Sequence, residues 1–379
     1  MKALRLAVIV ASALVLATGS AQAEPEFLSK QYTRCSTCHF SPTGGGLLSP
    51  YGRSLSRNEL STTGRSAASP ATGREHEFLM GILGDKLGPV SVGIDVRPSH
   101  LSVDFPGGSL SRDFLMNADL LAAYRANGWT VYGELGREPL TDGSKIASYE
   151  YWVGHESEKG LGFRAGRFLP AYGVRFADHT ALNRAPLGLD KYDQVLGLEM
   201  SYATDHDLLQ VSVGPGRADS VYHDDGRGAF TATGRFQWDL GPRMALVASG
   251  LFRDTATLVP RTGAGGMAFG YAPTPHLSTW TEFDTEFQQG GRGTPAYIVA
   301  NETGFEVYRG VWLKFSPQLR TAVADASDGT LRFGTLRLAF ALNLFPRTHW
   351  NVTASYYHDR NRATNLTTKT FLAQLHLYL

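Results

Sequence analysis

The sequence contains few cysteines, few lysines and only one long run of apolar residues. Its 379 residues include two cysteines, which excludes a framework of several disulfide bonds. The 36 basic and 35 acidic residues are nearly balanced, so we predict no nucleic-acid partner. The one long apolar run, residues 6–16, lies near the start, so a membrane protein built from helices is excluded. A membrane β-barrel is compatible with this composition, because its strands are apolar on only one face.

The first residues have the pattern of a secretory signal peptide. Lys2 and Arg5 precede the apolar run, and Ala21 and Ala23 form a small-x-small cleavage site before Glu24. The run is too short to span a bilayer. We therefore predict a signal peptide over residues 1–23 and a mature protein outside the cytoplasm.

A two-residue hydrophobic period dominates the chain from about residue 76 onward. Phe236 and Trp238, for example, alternate with Arg235 and Gln237. Segments of about ten residues recur in this pattern, long enough to cross an outer membrane when tilted. We therefore predict an all-β fold, an antiparallel outer-membrane β-barrel of about 16 strands over residues 76–379, in contact with outer-membrane lipid.

A soluble β-sandwich or β-helix is the alternative to this barrel. The polar strand faces include Arg, Glu and Gln, which suits a water-filled lumen better than a dry core. The last strand, residues 371–379, alternates up to Leu379 and resembles the C-terminal insertion signal of outer-membrane barrels, whose usual last residue is Phe. Residues 170–193 break the alternation and are interpreted as a loop that folds into the lumen, or alternatively as an ordinary extracellular loop.

Both cysteines lie in one motif, Cys35-Ser-Thr-Cys38-His39, which is the attachment signature of c-type haem. The two thiols add to the haem vinyl groups, and the adjacent histidine becomes the proximal iron ligand. A zinc half-site is the alternative, but a second Cys/His pair at finger spacing is missing. We predict one haem c, bound covalently through Cys35 and Cys38, with His39 as the proximal ligand of its iron.

The haem-binding segment is predicted to span residues 24–60, followed by a linker over residues 61–75. So short a segment is marginal as an independent core, so we expect it to use the barrel interior as a wall. Residues 44–46 are glycines, which allow the backbone to pass close to a flat macrocycle. Leu47, Leu48 and Tyr51 are candidates for its apolar cover.

The distal haem ligand is not determined by the motif. His76, Met80 and His179 are the candidates, together with Met116. A lone histidine or methionine is more often structural than a ligand, so the distal ligand stays open.

The stretch EPEFLSKQYTRCSTCHFSPTGGGLLSPYGRSL is similar to the N-terminus of the fused monohaem cytochrome–porin family. The similarity lies in Pro-x-Phe at residues 25–27 and in Leu-x-x-aromatic-Gly-Arg at residues 48–53, with Tyr51 as the aromatic residue. An insertion at residues 43–46 departs from that pattern. The resemblance implies extracellular electron transfer, and ferrous iron as a candidate electron donor.

Three functions are compatible with these patterns. The first is an outer-membrane electron-transfer protein, whose haem links an extracellular electron donor or acceptor to a periplasmic electron carrier. The alternative is a porin or transport channel with a structural or sensory haem. The third is a haem enzyme such as a peroxidase, or an iron oxidase-like activity; an electron carrier is favoured over a substrate-converting enzyme.

Overall fold

The structure is a computed structural model that describes residues 25–62, 88–137, 146–176, 178, 180–189, 194–217, 230–254, 262–288, 295–321, 333–361 and 364–379. The predicted signal peptide and residues 63–75 of the predicted linker lie outside the described residues. Within the described residues, no helix is long and apolar enough to cross a membrane.

The strands form one antiparallel sheet that closes on itself. Their bounds, in chain order from β1 to β16, are Val90–Phe105, Gly108–Ala126, Trp129–Arg137, Ile146–Ala147 with Tyr151–Glu156, Leu161–Phe168, Val195–Ala203, Asp207–Arg217, Phe230–Gly241, Met244–Asp254, Thr262–Thr274, Leu277–Gln288, Ala296–Tyr308, Val311–Thr321, Phe333–Arg347, Trp350–Asn361 and Leu366–Tyr378.

The fourth strand is interrupted, and both of its pieces pair with β3. Strands β1 and β16 close the barrel, with Asp95 opposite Tyr378 and Ser99 opposite Gln374. The predicted all-β barrel of about 16 strands is therefore confirmed. Its first strand begins at Val90.

The strand faces have the polarity that a membrane barrel requires. Phe236 and Trp238 point outward and are 43% and 49% exposed, whereas Gln237 and Asp239 between and beyond them are buried in the interior. Apolar side chains outside and polar side chains inside are the arrangement expected for a barrel whose outer wall faces lipid. The predicted alternation is confirmed on this strand.

The two ends of the barrel differ in the length of their connections. At one end the strands are joined by tight turns such as Asn127-Gly128, where φ values of +51° and +78° fit the hairpin turn that Asn-Gly favours. The chain end, Leu379, lies at this short-turn end, with its N–H donated to the Ile94 carbonyl oxygen at 3.0 Å. Most connections at the opposite end are longer, for example residues 218–229 and 322–332.

Two segments occupy the lumen. The first, called the lumen segment, is residues 25–62; it contains the helices α1 (Pro25–Ser29) and α2 (Pro50–Leu55) and a π-helical turn (Ser56–Leu60). The second, called the inward loop, is the described part of residues 169–189 between β5 and β6. Its buried apolar side chains pack on the inner wall; they are Leu169, Ala171, Tyr172, Val174, Phe176, Ala181, Leu182, Leu187 and Leu189.

Candidate haem-binding site

The lumen segment is fixed to the barrel wall by buried ion pairs. Glu26 Oε1 in α1 lies 2.7 Å from Lys314 Nζ in β13, and the same ammonium lies 3.1 Å from Glu302 Oε1 in β12. Lys30 Nζ, just after α1, lies 2.5 Å from Glu306 Oε2. Because both members of each pair are largely buried, loss of one partner would leave an uncompensated charge in the interior.

Contacts on other strands hold the rest of the segment. Arg34 Nη2 lies 3.0 Å from Asp239 Oδ2 in β8. Ser56 Oγ and Tyr378 Oη lie 2.8 Å apart, which joins the π-helical turn to β16. The Thr62 N–H donates to the Phe345 carbonyl oxygen at 2.8 Å. The segment is thus attached around the inner wall near the short-turn end, as expected for a short segment that uses the barrel as its wall.

A compact backbone turn brings the three motif residues together. Residues Cys35–Thr37 form a 3₁₀ turn, and both the Cys38 and His39 N–H groups donate to the Cys35 carbonyl oxygen, at 3.1 and 2.9 Å. The Cys38 carbonyl oxygen accepts from the Ser49 N–H at 2.8 Å, which ties the motif to the start of α2. The motif therefore sits on a backbone fixed on both sides.

Glycine is required at the bend that follows the motif. Gly44, Gly45 and Gly46 have φ values of +80°, +74° and +61°, a left-handed conformation that other residues rarely adopt. A Cβ on Gly44 would lie 3.2 Å from Cys35 Sγ, and a Cβ on Gly46 would collide with the Tyr132 hydroxyl. The side chains that these glycines approach closely include the first thiol of the motif, and their approach to a haem macrocycle stays a prediction.

Gly52 plays a similar part in α2. Its N–H donates to Ser49 Oγ at 3.1 Å, which caps the helix, and Pro50 occupies the first turn. A Cβ at Gly52 would lie 3.0 Å from Cys38 Cα and still closer to the Cys38 carbonyl oxygen. The absence of a side chain therefore lets α2 pack directly on the motif backbone.

Cys35, Cys38 and His39 all line one cavity of about 650 Å³ inside the barrel. This volume is in the range of cofactor and ligand pockets. The thiols are not joined as a disulfide, and Cys35 is partly exposed while Cys38 is buried. Leu48, Met116, Arg175, Gln374 and His376 also line this cavity.

The His39 imidazole is suited to binding a metal. Burial, with a further contribution from the Arg175 cation, lowers the pKa of His39 to about 4, so the ring is neutral near pH 7, the form that ligates metals. Its Nδ1 atom is buried without a hydrogen-bond partner, which is uncommon for a buried polar atom. Two thiols and a neutral imidazole facing one cavity therefore fit a covalently attached haem.

The described residues include one of the four candidates for the distal ligand. His76, Met80 and His179 lie outside the described residues. Met116, in β2, lines the cavity, and its Sδ accepts a hydrogen bond from Gln374 Nε2 at 3.0 Å.

A β-bulge accounts for the direction of Met116. The register between β1 and β2 pairs Arg97 with Asn117 and Pro98 with Leu115, which leaves Met116 as the extra residue. Both Met116 and Asn117 line the cavity, although strict alternation would place them on opposite faces. Proline lacks the N–H that a regular ladder needs, and bulges redirect side chains in this way.

Some of the sequence-based expectations about the cavity lining need correction. Leu48 lines the cavity, but Leu47 is fully buried against Leu121 of the barrel wall, and Tyr51 is 50% exposed. His376 was missed, although the alternation in the last strand places it on the inner face, and its Nε2 lies 3.2 Å from Asp95 Oδ1.

Arg175 was also missed, because only the tertiary fold brings the inward loop to the motif.

Within the described part of the chain, no group of three or more His, Cys, Asp or Glu side chains is arranged to hold a metal ion.

Comparison with known proteins matches the barrel. No family model matches the chain, and no curated protein matches it. Among solved structures, it is similar to OmpF of Salmonella typhi in complex with daunomycin, with a TM-score of 0.61, 9% identity, and coverage of 76% of this chain and 97% of that one. It is also similar to a loop L8 deletion mutant of OmpT, an outer membrane protein of Vibrio cholerae, with a TM-score of 0.57, 11% identity, and coverage of 77% of this chain and 100% of that one. The anion-selective porin from Comamonas acidovorans matches with a TM-score of 0.55, 13% identity, and coverage of 76% of this chain and 99% of that one.

At these identities the likeness is one of fold. Together with the closed barrel, it shows a porin-like barrel of the bacterial outer membrane, as predicted. In such barrels the short turns face the periplasm. The lumen segment lies at the short-turn end of this barrel.

Proposed function

We propose that the chain is an outer-membrane electron-transfer protein that carries one haem c inside its barrel. The observation that supports this most is the convergence of Cys35, Cys38 and His39 on one cavity within the barrel wall. A single redox centre can connect two sides of a membrane only if it lies between them, inside the membrane-spanning barrel. A haem attached at this cavity would meet that requirement, whereas a haem on a separate periplasmic domain would not.

In this proposal the bound haem supplies reversible one-electron transfer at its iron. Cys35 and Cys38 would attach the haem, and neutral His39 would ligate its iron. Met116 would supply a second ligand to the iron, because the bulge and the Gln374 amide hold its thioether in the same cavity. An extracellular donor, with ferrous iron as the candidate implied by the sequence resemblance, would deliver electrons that a periplasmic carrier removes.

A transport channel is the second candidate function. The comparisons by themselves support it better than electron transfer, because the structures of similar fold include porins and an outer membrane channel. Its physical basis in this chain is the polar inner wall, on which cavity-lining charges such as Arg97, Lys314 and Arg337 occur. In that case the haem would be structural or sensory.

Reconstitution tests the two functions against each other. Full-length protein is placed in vesicles that enclose an electron acceptor, and a membrane-impermeant reductant is added outside. If the protein transfers electrons, wild type should reduce the enclosed acceptor, and Cys35→Ala/Cys38→Ala and His39→Ala should not. After denaturing electrophoresis, wild type should stain for haem and the double cysteine variant should not. Solute-driven vesicle swelling without haem-dependent reduction would favour the transport channel.

A further inference from the structure

Arg175 of the inward loop reaches back over the loop that follows the haem motif. Its Nη1 donates to the Thr43 carbonyl oxygen at 3.4 Å and also to the Gly44 carbonyl oxygen. Gly45 lies so close that a Cβ there would be 2.8 Å from Arg175 Nη2. Because Gly44 in turn packs against Cys35 Sγ, the guanidinium lies beside the attachment point of the haem.

The charge environment of Arg175 differs from that of the other cavity cations. Arg97 Nη2 lies 2.7 Å from Asp95 Oδ2, and Arg337 Nε lies 2.8 Å from Asp359 Oδ1. In the described part of the chain, the hydrogen bonds of Arg175 go to backbone carbonyl oxygens and no ion pair joins it to a carboxylate. A partly buried guanidinium keeps its charge and has five N–H donors, so it favours a carboxylate partner.

Hydrogen bonds fix the backbone of the inward loop at Gly173 and Val174, the two residues before Arg175. The Val174 N–H donates to Glu282 Oε2 at 2.9 Å, and the Val174 carbonyl oxygen accepts from Asn183 Nδ2 at 2.9 Å. The Gly173 carbonyl oxygen accepts from Arg235 Nε at 2.9 Å. The backbone that carries Arg175 is therefore fixed, and the guanidinium itself is held by the Thr43 and Gly44 carbonyl oxygens.

We propose that Arg175 binds a propionate carboxylate of the haem and thereby sets the reduction potential of its iron. This inference rests on the proposed function, since it needs the haem at Cys35 and Cys38. Arginine pairs with carboxylates through two parallel N–H···O bonds, and the cavity beside Arg175 leaves such a partner room. The residue is a positioning and electrostatic residue, which does not touch the iron.

The sign of the effect follows from the charge of the iron. Reduction removes one positive charge from the haem, so a nearby fixed cation favours the reduced state and raises the potential. The same contact would link the inward loop to the cofactor, because Arg175 also bonds to the lumen segment at Thr43 and Gly44.

Redox titration of full-length, haem-loaded protein tests this inference. Haem staining of each variant is checked first, so an absence of covalent haem in wild type would overturn the proposed function and not this assignment alone. We expect Arg175→Gln to lower the midpoint potential, and Arg175→Lys, which keeps the charge, to retain most of the wild-type value. Arg97→Gln is the matched control, because it removes an arginine that lines the same cavity but is already paired with Asp95.

The possible outcomes separate an electrostatic role from a structural one. An unchanged potential in haem-loaded Arg175→Gln, or a shift no larger than that in Arg97→Gln, would overturn the inference. If Arg175→Gln carries no haem, retention of haem by Arg175→Lys would support a requirement for the charge. Loss of haem from both variants would overturn it in favour of a purely structural contact.

Discussion

Lys314 Nζ lies 2.7 Å from Glu26 Oε1, so a strand residue of the barrel neutralises an acidic residue that precedes it by most of the chain length. The same ammonium also lies 3.1 Å from Glu302 Oε1. One lysine therefore holds two buried carboxylates near each other, and it joins the first helix of the lumen segment to the wall.

Replacing Lys314 by Met should release α1 from the wall. The substitution leaves the Glu26 and Glu302 carboxylates buried without their shared cation, and removal of one partner of a buried ion pair costs about 3–5 kcal/mol. We expect faster proteolysis within residues 25–62 and a lower denaturant midpoint. Lys369→Met is the control, because Lys369 is exposed on β16. Equal protease resistance of both variants and wild type would contradict the proposed anchoring.

Gly52→Ala should disturb the haem motif through the backbone. The added methyl group would press on the Cys38 carbonyl, so α2 must move away from the motif. We expect less covalently bound haem per folded barrel, measured as the ratio of haem absorbance to protein. Gly133→Ala adds the same methyl group at a site where no atom lies within 4 Å, and it should leave this ratio unchanged.

Phe236→Arg should impair barrel assembly. Phe236 is 43% exposed on the outer face near the middle of β8, and an arginine at the lipid midplane costs roughly 2–4 kcal/mol. The measurement is the fraction that keeps folded mobility in unheated detergent electrophoresis. Phe236→Leu keeps an apolar side chain and should behave as wild type. If the arginine variant assembles equally well, this face does not contact lipid.

Met116→Ala should convert the haem iron from six-coordinate low-spin to five-coordinate high-spin, because the thioether would no longer be available as distal ligand. Optical and electron paramagnetic resonance spectra of the purified protein report the change. Met267→Ala is the control, because Met267 is 55% exposed on the outer wall. A low-spin spectrum in Met116→Ala would assign the distal position to another residue.

The barrel was predictable from sequence because its signal is local. Alternation along a strand predicts its outer face, as with Phe236 and Trp238, and turn sequences such as Asn127-Gly128 mark where strands reverse. The haem motif is local as well, because Cys35, Cys38 and His39 lie within five consecutive residues. Their shared cavity supports the prediction of haem attachment, which stays a prediction.

The remainder of the site depends on distant pairings that no local pattern encodes. Arg34 meets Asp239, and Arg175 meets Gly44, only because the barrel closes around the lumen segment. Met116 turns inward through a register shift opposite Pro98, which interrupts the alternation that served elsewhere. His376 is the exception, since the alternation of the last strand was sufficient to place it inside.

The contacts of α2 and the π-helical turn with the closing strands impose an order in time on biogenesis. Arg53 Nη2 donates to the Val92 carbonyl oxygen of β1 at 2.9 Å, and Ser56 contacts Tyr378 of β16. The binding surface of this early segment is therefore complete only when the last strand pairs with the first. The lumen segment can therefore dock fully only once the barrel has closed.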